Sequence, residues 1–314
     1  MFQILKTENT INFMRWSRFA FVLSVLVILG SFASLATNKL NWGLDFTGGT
    51  LIEVGFEQPA DLELIRESLD ADGFGDAVVQ NFGTTRDVMV RLRPRDGVKG
   101  EQLSQQILAS IEKGTQQKVE VRRLEFLGPA IGDELTEAGG LAILASLLCI
   151  LAYVSMRFEW RLATGAVAAL AHDIIITLGI FSILKIEVDL TIVAALLTVV
   201  GYSLNDTVVV FDRIRENFRK MRKGDSPEVI NSSITQTLSR TLITSGTTLF
   251  VVIALFVVGG ANIHGFATAL LIGITVGTYS SIYVASALAL KLGVVREHLM
   301  PPQIETDEEF EQMP

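Results

Sequence analysis

Cysteine and charge are the two things that this sequence has little of. The chain of 314 residues has a single cysteine, Cys149, which excludes an intrachain disulfide and the secreted folds that depend on one. Only 19% of the residues are charged, against about 25% in an ordinary soluble domain. The net charge of −8 and the isoelectric point near 5.0 argue against a nucleic-acid-binding protein.

Several sequence motifs of enzymes are absent as well. The chain has no GxxxxGK[ST] phosphate-binding loop, no HExxH zinc motif and no CxxC pair. These absences exclude a P-loop ATPase, a zinc protease of that type and a thioredoxin-like redox enzyme. We therefore expect no catalytic residues, no metal site and no organic cofactor, and we predict that the protein is not an enzyme.

Apolar residues are abundant, at 49% of the chain with a mean hydropathy of +0.44. A bilayer core requires about 20 apolar residues per helix. Stretches with no charge, or with one, predict six membrane spans, at residues 19–38, 138–156, 162–184, 190–211, 241–259 and 265–290. No charged residue occurs from 241 to 290, and the turn residues of Gly259–Gly265 divide that stretch into spans 5 and 6.

Span 1 has a second interpretation as a cleaved signal peptide, because Lys6, Arg15 and Arg18 precede it. Its apolar run is longer than the usual signal-peptide core of about 7–15 residues. An odd number of spans would also disturb the distribution of basic residues between the two sides. We therefore interpret it as a membrane span.

Basic residues indicate the orientation, because cytoplasmic connections are enriched in Lys and Arg. They precede span 1, they follow span 6, and they occur in the connections between spans 2 and 3 and between spans 4 and 5. The two short connections on the other side contain one basic residue between them, Lys185. This pattern predicts a multi-pass membrane protein with both termini, residues 1–18 and 291–314, in the cytoplasm.

The connection between spans 1 and 2, residues 39–137, is long enough for a small outer domain. Strand-like alternation in 50–56, 77–81, 87–93 and 118–126 is interleaved with helical spacing in two segments. Those helices are predicted over Pro59–Asp70 and over Glu101–Lys113, with Gly114 ending the second. The order β-α-β-β-α-β predicts a periplasmic ferredoxin-like α+β domain on a polytopic α-helical membrane protein.

Two cytoplasmic segments differ in charge. Residues 212–240 are basic and amphipathic, and Ser226–Pro227–Glu228 predicts a helix start with Ser226 as the cap. We expect that helix to continue into span 5 without a break. The tail, 291–314, is acidic and is typical of a solvated end.

Asp206 is a carboxylate inside span 4, roughly 8 Å from its cytoplasmic end. Thr198, Tyr202 and Asn205 are spaced to share a helix face with it. Such a polar stripe requires a protein or water environment, because an ionised side chain is costly in hydrocarbon.

Arg240 begins span 5 from the cytoplasmic side, and Thr244 and Thr247 follow on one helix face. Asp206 and Arg240 are therefore expected at similar depths on neighbouring antiparallel helices. A carboxylate beside a guanidinium stays ionised, whereas a separated and dry one takes up a proton. Three interpretations stay open: a pair that joins and separates to move protons, a static ion pair, and an arginine at the lipid interface.

Asp173 follows His172 and lies roughly 18 Å into span 3, near the bilayer centre. It is either a secondary proton relay or a protonated aspartate hydrogen-bonded to a neighbouring span. An aspartyl intramembrane protease would need two carboxylates about 3 Å apart. The different depths of Asp173 and Asp206, and the lack of a GxGD segment, exclude that class.

Small residues recur every four positions in span 6, which permits close helix packing. They are Ala269, Gly273, Gly277 and Ser281. The spacing does not identify the partner helix, which lies either in this chain or in another subunit.

Four segments together resemble a known family. They are Gly43–Thr50 (GLDFTGGT), the Gly128–Leu135 region, His172–Asp173, and Gly201–Arg213 (GYSLNDTVVVFDR). These blocks are similar to the SecF family of bacterial protein translocase subunits, in the SecD/SecF group of the RND superfamily. The similarity covers nearly the whole chain.

The resemblance implies a half-transporter of six spans that pairs with SecD as an obligate other half. It implies work beside the SecYEG channel and with YidC, in which the proton gradient promotes late stages of export of unfolded preprotein. It maps proton coupling onto Asp206, Arg240 and Thr244. It marks the residues after span 1 as a family signature, namely Gly43, Asp45, Gly48 and Gly49. Apart from the resemblance, the positions of Asp173, Asn205 and Tyr202 make them a possible secondary relay.

Two other functions fit the same architecture. One is half of an RND-type small-molecule exporter, although the outer domain has few aromatic residues. The other is a scaffold of the translocase that transduces no energy. The coupling ion also stays open, because one Asp with Thr and Asn neighbours suits either H⁺ or Na⁺.

Overall fold

The computed structural model describes residues 10–94, 100–221 and 224–299. The predictions made for Lys6, for residues 222 and 223 of the basic connection and for most of the acidic tail fall outside these residues. The described chain consists of a membrane bundle and an outer α+β domain.

Within the described residues, six helices are long and apolar enough to cross a membrane. The helices α1, α5, α6, α7, α8 and α9 carry spans 1 to 6, over Ser17–Thr37, Pro129–Arg157, Trp160–Leu184, Leu190–Lys220, Ser226–Val258 and Ala261–Ser280. Span 6 continues beyond α9 through a π-helical turn, Ser281–Ala285, and then through α10, Ser286–Lys291. The helices extend past several of the apolar segments because polar residues at their ends also adopt helical geometry.

Large apolar side chains point outward from α1, α5 and α8. Phe19 and Phe32 on α1, Leu144 on α5 and Phe250 on α8 are all exposed. A continuous apolar exterior of this kind suits a lipid environment rather than water. The most buried membrane spans are those of α6, α7 and span 6, which therefore form the centre of the bundle.

Helix α8 is continuous from the cytoplasmic segment into span 5, as predicted. Its cap is Asp225 rather than Ser226, because the Asp225 carboxylate accepts the backbone N–H of Glu228 at 2.9 Å. The Ser226 hydroxyl instead donates to the carbonyl of Val294. Two residues, Gly259 and Gly260, suffice to turn the chain into α9, so the break is shorter than the predicted Gly259–Gly265.

The outer domain has the predicted ferredoxin-like order. Its elements are β2 (Gly49–Phe56), α3 (Leu62–Ala71), β3 (Val78–Phe82), β4 (Thr84–Leu92), α4 (Gly100–Thr115) and β5 (Val119–Leu127). The antiparallel sheet has the order β3-β4-β2-β5. The two helices pack on one face of it, over a core that includes Ile52, Val90 and Ile107.

The predicted helix limits in this domain need two corrections. Helix α3 starts at Leu62 rather than at Pro59, because the Asp61 carboxylate accepts the N–H groups of Glu63 and Leu64. Helix α4 runs through Gly114 to Thr115. The chain then turns at Gln116, which adopts a left-handed φ of 53°.

A small parallel sheet joins the outer domain to the bundle. Strand β1 (Asn41–Trp42) follows α1, and β6 (Glu187–Val188) connects α6 to α7. Between β1 and β2 lies the short helix α2 (Leu44–Thr47). The chain segments that lead into and out of the outer domain therefore meet the start of the central helix α7.

The small residues of span 6 pack against α7 of the same chain. A Cβ on Gly273 would lie 2.2 Å from the Val199 side chain, and one on Gly277 would lie 3.1 Å from that of Ser203. This contact answers the question that the spacing left open, because the partner helix is span 4.

Candidate proton-coupling site

Asp206 lies on α7 inside the bundle, with only 2% of its surface exposed. The Ser245 hydroxyl of α8 donates to Asp206 Oδ2 at 3.3 Å. Ser245 in turn lies 2.8 Å from the Thr278 hydroxyl of α9. The carboxylate therefore faces the junction of three helices and has one long hydrogen bond among the described residues.

Arg240 and Thr244 lie on the neighbouring helix α8, as the antiparallel arrangement predicted, but they do not contact the carboxylate. Arg240 is exposed, and within the described chain it forms no salt bridge with Asp206. The Thr244 hydroxyl donates to the carbonyl groups of Arg240 and Thr241 in its own helix. The structure thus holds the aspartate and the arginine apart.

Ser245 is the functional candidate that the sequence reasoning missed. It follows Thr244 directly and lies five residues after Arg240, which is about 7.5 Å along the helix axis. The predicted polar face of span 5 ran through Thr244 and Thr247, whereas Ser245 points to α7 and α9. The sequence did give one indication of this role, because Ser245 is a second hydroxyl-bearing residue directly beside the predicted Thr244.

The polar stripe predicted on span 4 is divided between two environments. Asp206 is buried, whereas Thr198 and Asn205 are exposed on the outside of this chain. Tyr202 is half-buried, and its hydroxyl has no hydrogen-bond partner among the described residues. Consecutive positions of a helix differ by about 100°, so Asn205 and Asp206 face different directions.

Asp173 forms a second polar centre, at the contact of α6, α7 and α9. Its Oδ2 accepts hydrogen bonds from the hydroxyls of Ser203, at 2.6 Å, and Ser280, at 2.8 Å. Its Oδ1 lies 2.9 Å from His172 Nδ1, and Nε2 of that ring lies 3.2 Å from the Ser24 hydroxyl of α1. Four membrane helices therefore contribute to this one network.

The residues of the GLDFTGGT block lie at the outer ends of the membrane helices. The Asp45 carboxylate accepts the backbone N–H of Leu190, the first residue of α7, at 2.9 Å. Gly48 and Gly49 have φ values of 61° and 125°, in the region that favours glycine. A Cβ on Gly49 would also lie 2.1 Å from the Leu92 carbonyl oxygen.

A six-helix membrane bundle with buried carboxylates and one outer domain defines a polytopic transport protein. Two family models match the chain. "Protein export membrane protein SecD/SecF, C-terminal" covers residues 107–295, and "SecD/SecF GG Motif" covers residues 33–60. The latter contains the block that includes Asp45 and the two glycines.

Named relatives and solved structures agree with these models. The chain is 76% identical to the protein translocase subunit SecF of Vibrio alginolyticus, over the full length of both. It is 53% identical to that of Escherichia coli O157:H7, over 97% of this chain and 95% of the relative. The chain therefore belongs to the SecD/SecF family, among the SecF subunits of the protein translocase, and its role is in protein transport.

Solved structures of SecDF extend beyond this chain. The crystal structure of SecDF from Thermus thermophilus matches 92% of the chain with a TM-score of 0.84 and 38% identity. SecDF in its super-membrane-facing form matches 93% of the chain with a TM-score of 0.68 at the same identity. The chain spans 39% of the length of each of these two SecDF chains.

Proposed function

We propose that this translocase subunit uses the proton motive force to promote late stages of protein export across the bacterial cytoplasmic membrane. In this proposal Asp206 takes up a proton from the outer side while it is apart from Arg240. It releases the proton to the cytoplasm when the two side chains meet. Both chain termini lie in the cytoplasm, in agreement with the distribution of basic residues.

The observation that carries the proposal is the environment of Asp206. A buried carboxylate with one 3.3 Å hydrogen bond and no salt bridge within the described chain is poorly compensated when ionised. Contact with the Arg240 guanidinium would stabilise the ionised form. The same helix α8 supplies both the Ser245 hydroxyl and Arg240, so a displacement of α8 along or around its axis would exchange one partner for the other.

SecD is the proposed second half of the transporter. Thr198 and Asn205 expose polar groups on a membrane helix, which is costly in lipid and acceptable against protein or water. The matched SecDF chains are also much longer than this one. The complex would act beside the SecYEG channel and with YidC on unfolded preprotein, as the family resemblance implies.

The membrane potential supplies enough free energy to shift an equilibrium between two conformations. One charge that crosses the membrane yields about 2.3 kcal/mol per 100 mV. That amount changes a conformational equilibrium roughly 50-fold. Two forms of SecDF match this chain with different TM-scores at one sequence identity, which is in keeping with a rearrangement in those proteins.

The test is export driven by an imposed proton gradient in proteoliposomes that contain the full chain with SecD and the channel. We expect Asp206→Asn to abolish stimulation by the gradient, because the amide cannot exchange a proton. The matched control is Glu216→Gln, which makes the same change of carboxylate to amide at an exposed side chain in the cytoplasmic part of α7 and should retain stimulation. Undiminished stimulation in Asp206→Asn would refute the proposal and favour a scaffold role.

The same vesicles distinguish H⁺ from Na⁺ as the coupling ion. With a proton gradient and no sodium gradient, export should respond to the imposed pH difference. A response to sodium alone, abolished by Asp206→Asn, would keep the site and replace the ion by Na⁺. The two gradients must therefore be imposed separately.

A further inference from the structure

The GLDFTGGT block holds the first turn of the helix that carries Asp206. Gly43 donates its backbone N–H to the Val188 carbonyl at 2.8 Å, just before α7 begins. Asp45 Oδ2 accepts the N–H of Leu190, one of the backbone donors that have no partner inside a helix. Asp206 lies sixteen residues further along α7, which is about 24 Å at the rise of an α-helix.

Arg91 binds the same place from the outer domain. It lies on β4, and its guanidinium donates to the Trp42 carbonyl at 2.6 Å and to Asn41 Oδ1 at 3.0 Å. It also forms a salt bridge of 3.0 Å with Glu187 in β6, and both side chains are mostly buried. Three acceptors on two chain segments therefore tie the sheet of the outer domain to the start of α7.

Burial at this salt bridge is appreciable. It raises the pKa of Glu187 above its ordinary value of 4.5, and the nearby Arg91 opposes that rise. A shielded ion pair with additional hydrogen bonds is more sensitive to geometry than an exposed one. Arg91 is therefore suited to hold a defined position rather than to provide a loose surface contact.

Close packing leaves the block little freedom on its other sides. The Gly49 Cα approaches the Leu92 carbonyl so closely that any side chain would collide with it. A Cβ on Gly132, in the first turn of α5, would lie 3.0 Å from the Gly48 nitrogen. The block is thus enclosed between the start of α5, the start of α7 and the outer sheet.

Elsewhere the outer domain stands away from the bundle. A cleft of about 1270 Å³ separates the sheet from the outer ends of the helices. Glu53 and Met89 line it on one side, and Leu184 and Val257 line it on the other. One further contact, between Arg123 and Asn262 Oδ1 at 3.0 Å, joins the sheet to α9 and is exposed to solvent.

We propose that the Gly43–Thr50 block is the joint through which movement of α7 reaches the outer domain, with Asp45 and Arg91 as its two positioning residues. The inference rests on the proposed coupling at Asp206. The coupling displaces α7 and α8 relative to each other, and Leu190 and β6 would move with α7. Asp45 and Arg91 would then pass that displacement to β1, β2 and β4.

The experiment follows the two ends of this path separately, in the full chain reconstituted with SecD and in a Cys149→Ser background. The rate of thiol labelling at Lys220→Cys, at the cytoplasmic end of α7, reports on that helix. The distance between labels at Glu101→Cys on α4 and Val258→Cys at the outer end of α8 reports on the outer domain. All three positions are exposed. Each quantity is measured with and without an imposed ion gradient.

We expect Asp45→Ala and Arg91→Ala each to reduce the gradient-dependent distance change about two-fold, and the double variant to abolish it. The labelling response at Lys220→Cys should persist in all of them, and export stimulation should fall with the distance change. A purely structural role would instead change both responses together. Arg123→Ala is the matched control, since it removes the other polar contact with the bundle and should behave as the parent protein does.

Conservative variants keep the test decisive if an alanine variant fails to assemble. Asp45→Asn retains an acceptor oxygen and should preserve the movement. Arg91→Lys lacks the guanidinium that reaches three acceptors at once, and it should show an intermediate distance change. An unchanged distance response in Arg91→Lys and in the double variant would overturn the inference while leaving the proposed coupling intact. Absence of any labelling response in the parent protein would overturn both.

Discussion

The two intramembrane aspartates differ in how completely the protein satisfies them. Asp173 has two serine hydroxyls and a histidine ring within 2.9 Å, whereas Asp206 has one hydroxyl at 3.3 Å. The first arrangement resists change, because each donor would lose a buried partner if the helices moved. At Asp206 the same movement would break only one long hydrogen bond within the described chain. Placing both on adjacent helices separates the task of holding the bundle together from the task of responding to an ion.

Packing around the two residues differs in the same direction. Close to Asp173, a Cβ on Gly277 would lie 3.4 Å from Asp173 Oδ2 and 3.1 Å from Ser203. Close to Asp206, Gly246 follows Ser245 on α8, and a Cβ on Gly246 would meet no atom of the described chain within 4 Å. Helix α9 is therefore closely packed against α7, while α8 has no such close contact at Gly246.

The largest expected difference in stability is between Asp173→Ala and Asp206→Ala. The first strands three buried donors and should lower the free energy of unfolding by about 2 kcal/mol or more, whereas the second should cost less than about 1 kcal/mol. Reversible unfolding in detergent micelles measures both. Asp173→Asn, which keeps the shape of the side chain, should lie between the parent and the alanine variant. Equal losses of stability in the two alanine variants would mean that the two carboxylates stabilise the bundle equally.

A smaller effect is expected from filling the two kinds of glycine position. Gly273→Val places methyl groups against Val199 and should destabilise the bundle by about 1–3 kcal/mol, because α7 and α9 must separate. Gly246→Val enters open space and should be nearly neutral. The two variants are compared by their melting temperatures in one detergent. A neutral Gly273→Val would mean that this helix contact yields easily.

The smallest effect concerns the pH dependence at Glu187. Since burial raises its pKa in the folded protein, the ionised form is disfavoured there relative to the unfolded chain. The resulting penalty is absent below the ordinary value of 4.5 and develops fully as the pH rises through the raised pKa. In Glu187→Gln the free energy of unfolding should therefore fall less steeply as the pH rises over that interval. Unfolding measured at a series of pH values tests this. Glu125→Gln, at a side chain 41% exposed, is the control and should leave the slope unchanged.

Local patterns predicted the architecture well. Alternation and helical spacing in residues 39–137 indicated the strand and helix order of the outer domain, because each element there buries one face. The same reasoning located Asp206 and Arg240 on neighbouring helices, since the distribution of basic residues orients each span. The errors at α3 and α4 concern the helix ends: Asp61 caps the start of α3, where Pro59 was expected, and the turn at Gln116 ends α4, where Gly114 was expected.

Contacts between residues that are far apart in the sequence could not be predicted from such local patterns. Ser24, Ser203 and Ser280 meet around His172 and Asp173 from three other helices, and serine in a membrane span has many packing roles. Asp45 caps a helix that begins 145 positions later. Sequence periodicity orients a side chain relative to its own helix axis, but it does not say which neighbour that side chain meets.

The π-helical turn at Ser281–Ala285 has a geometrical consequence for the contact between span 6 and α6. A π turn takes up about one residue more than an α turn. Ser280 can therefore face Asp173, while the Ala285 carbonyl lies against Gly165 on the same helix. In an unbroken α-helix two positions five residues apart would diverge by about 140°. The extra residue works as a phase correction, so that span 6 keeps its contact with α6 on both sides of the π turn.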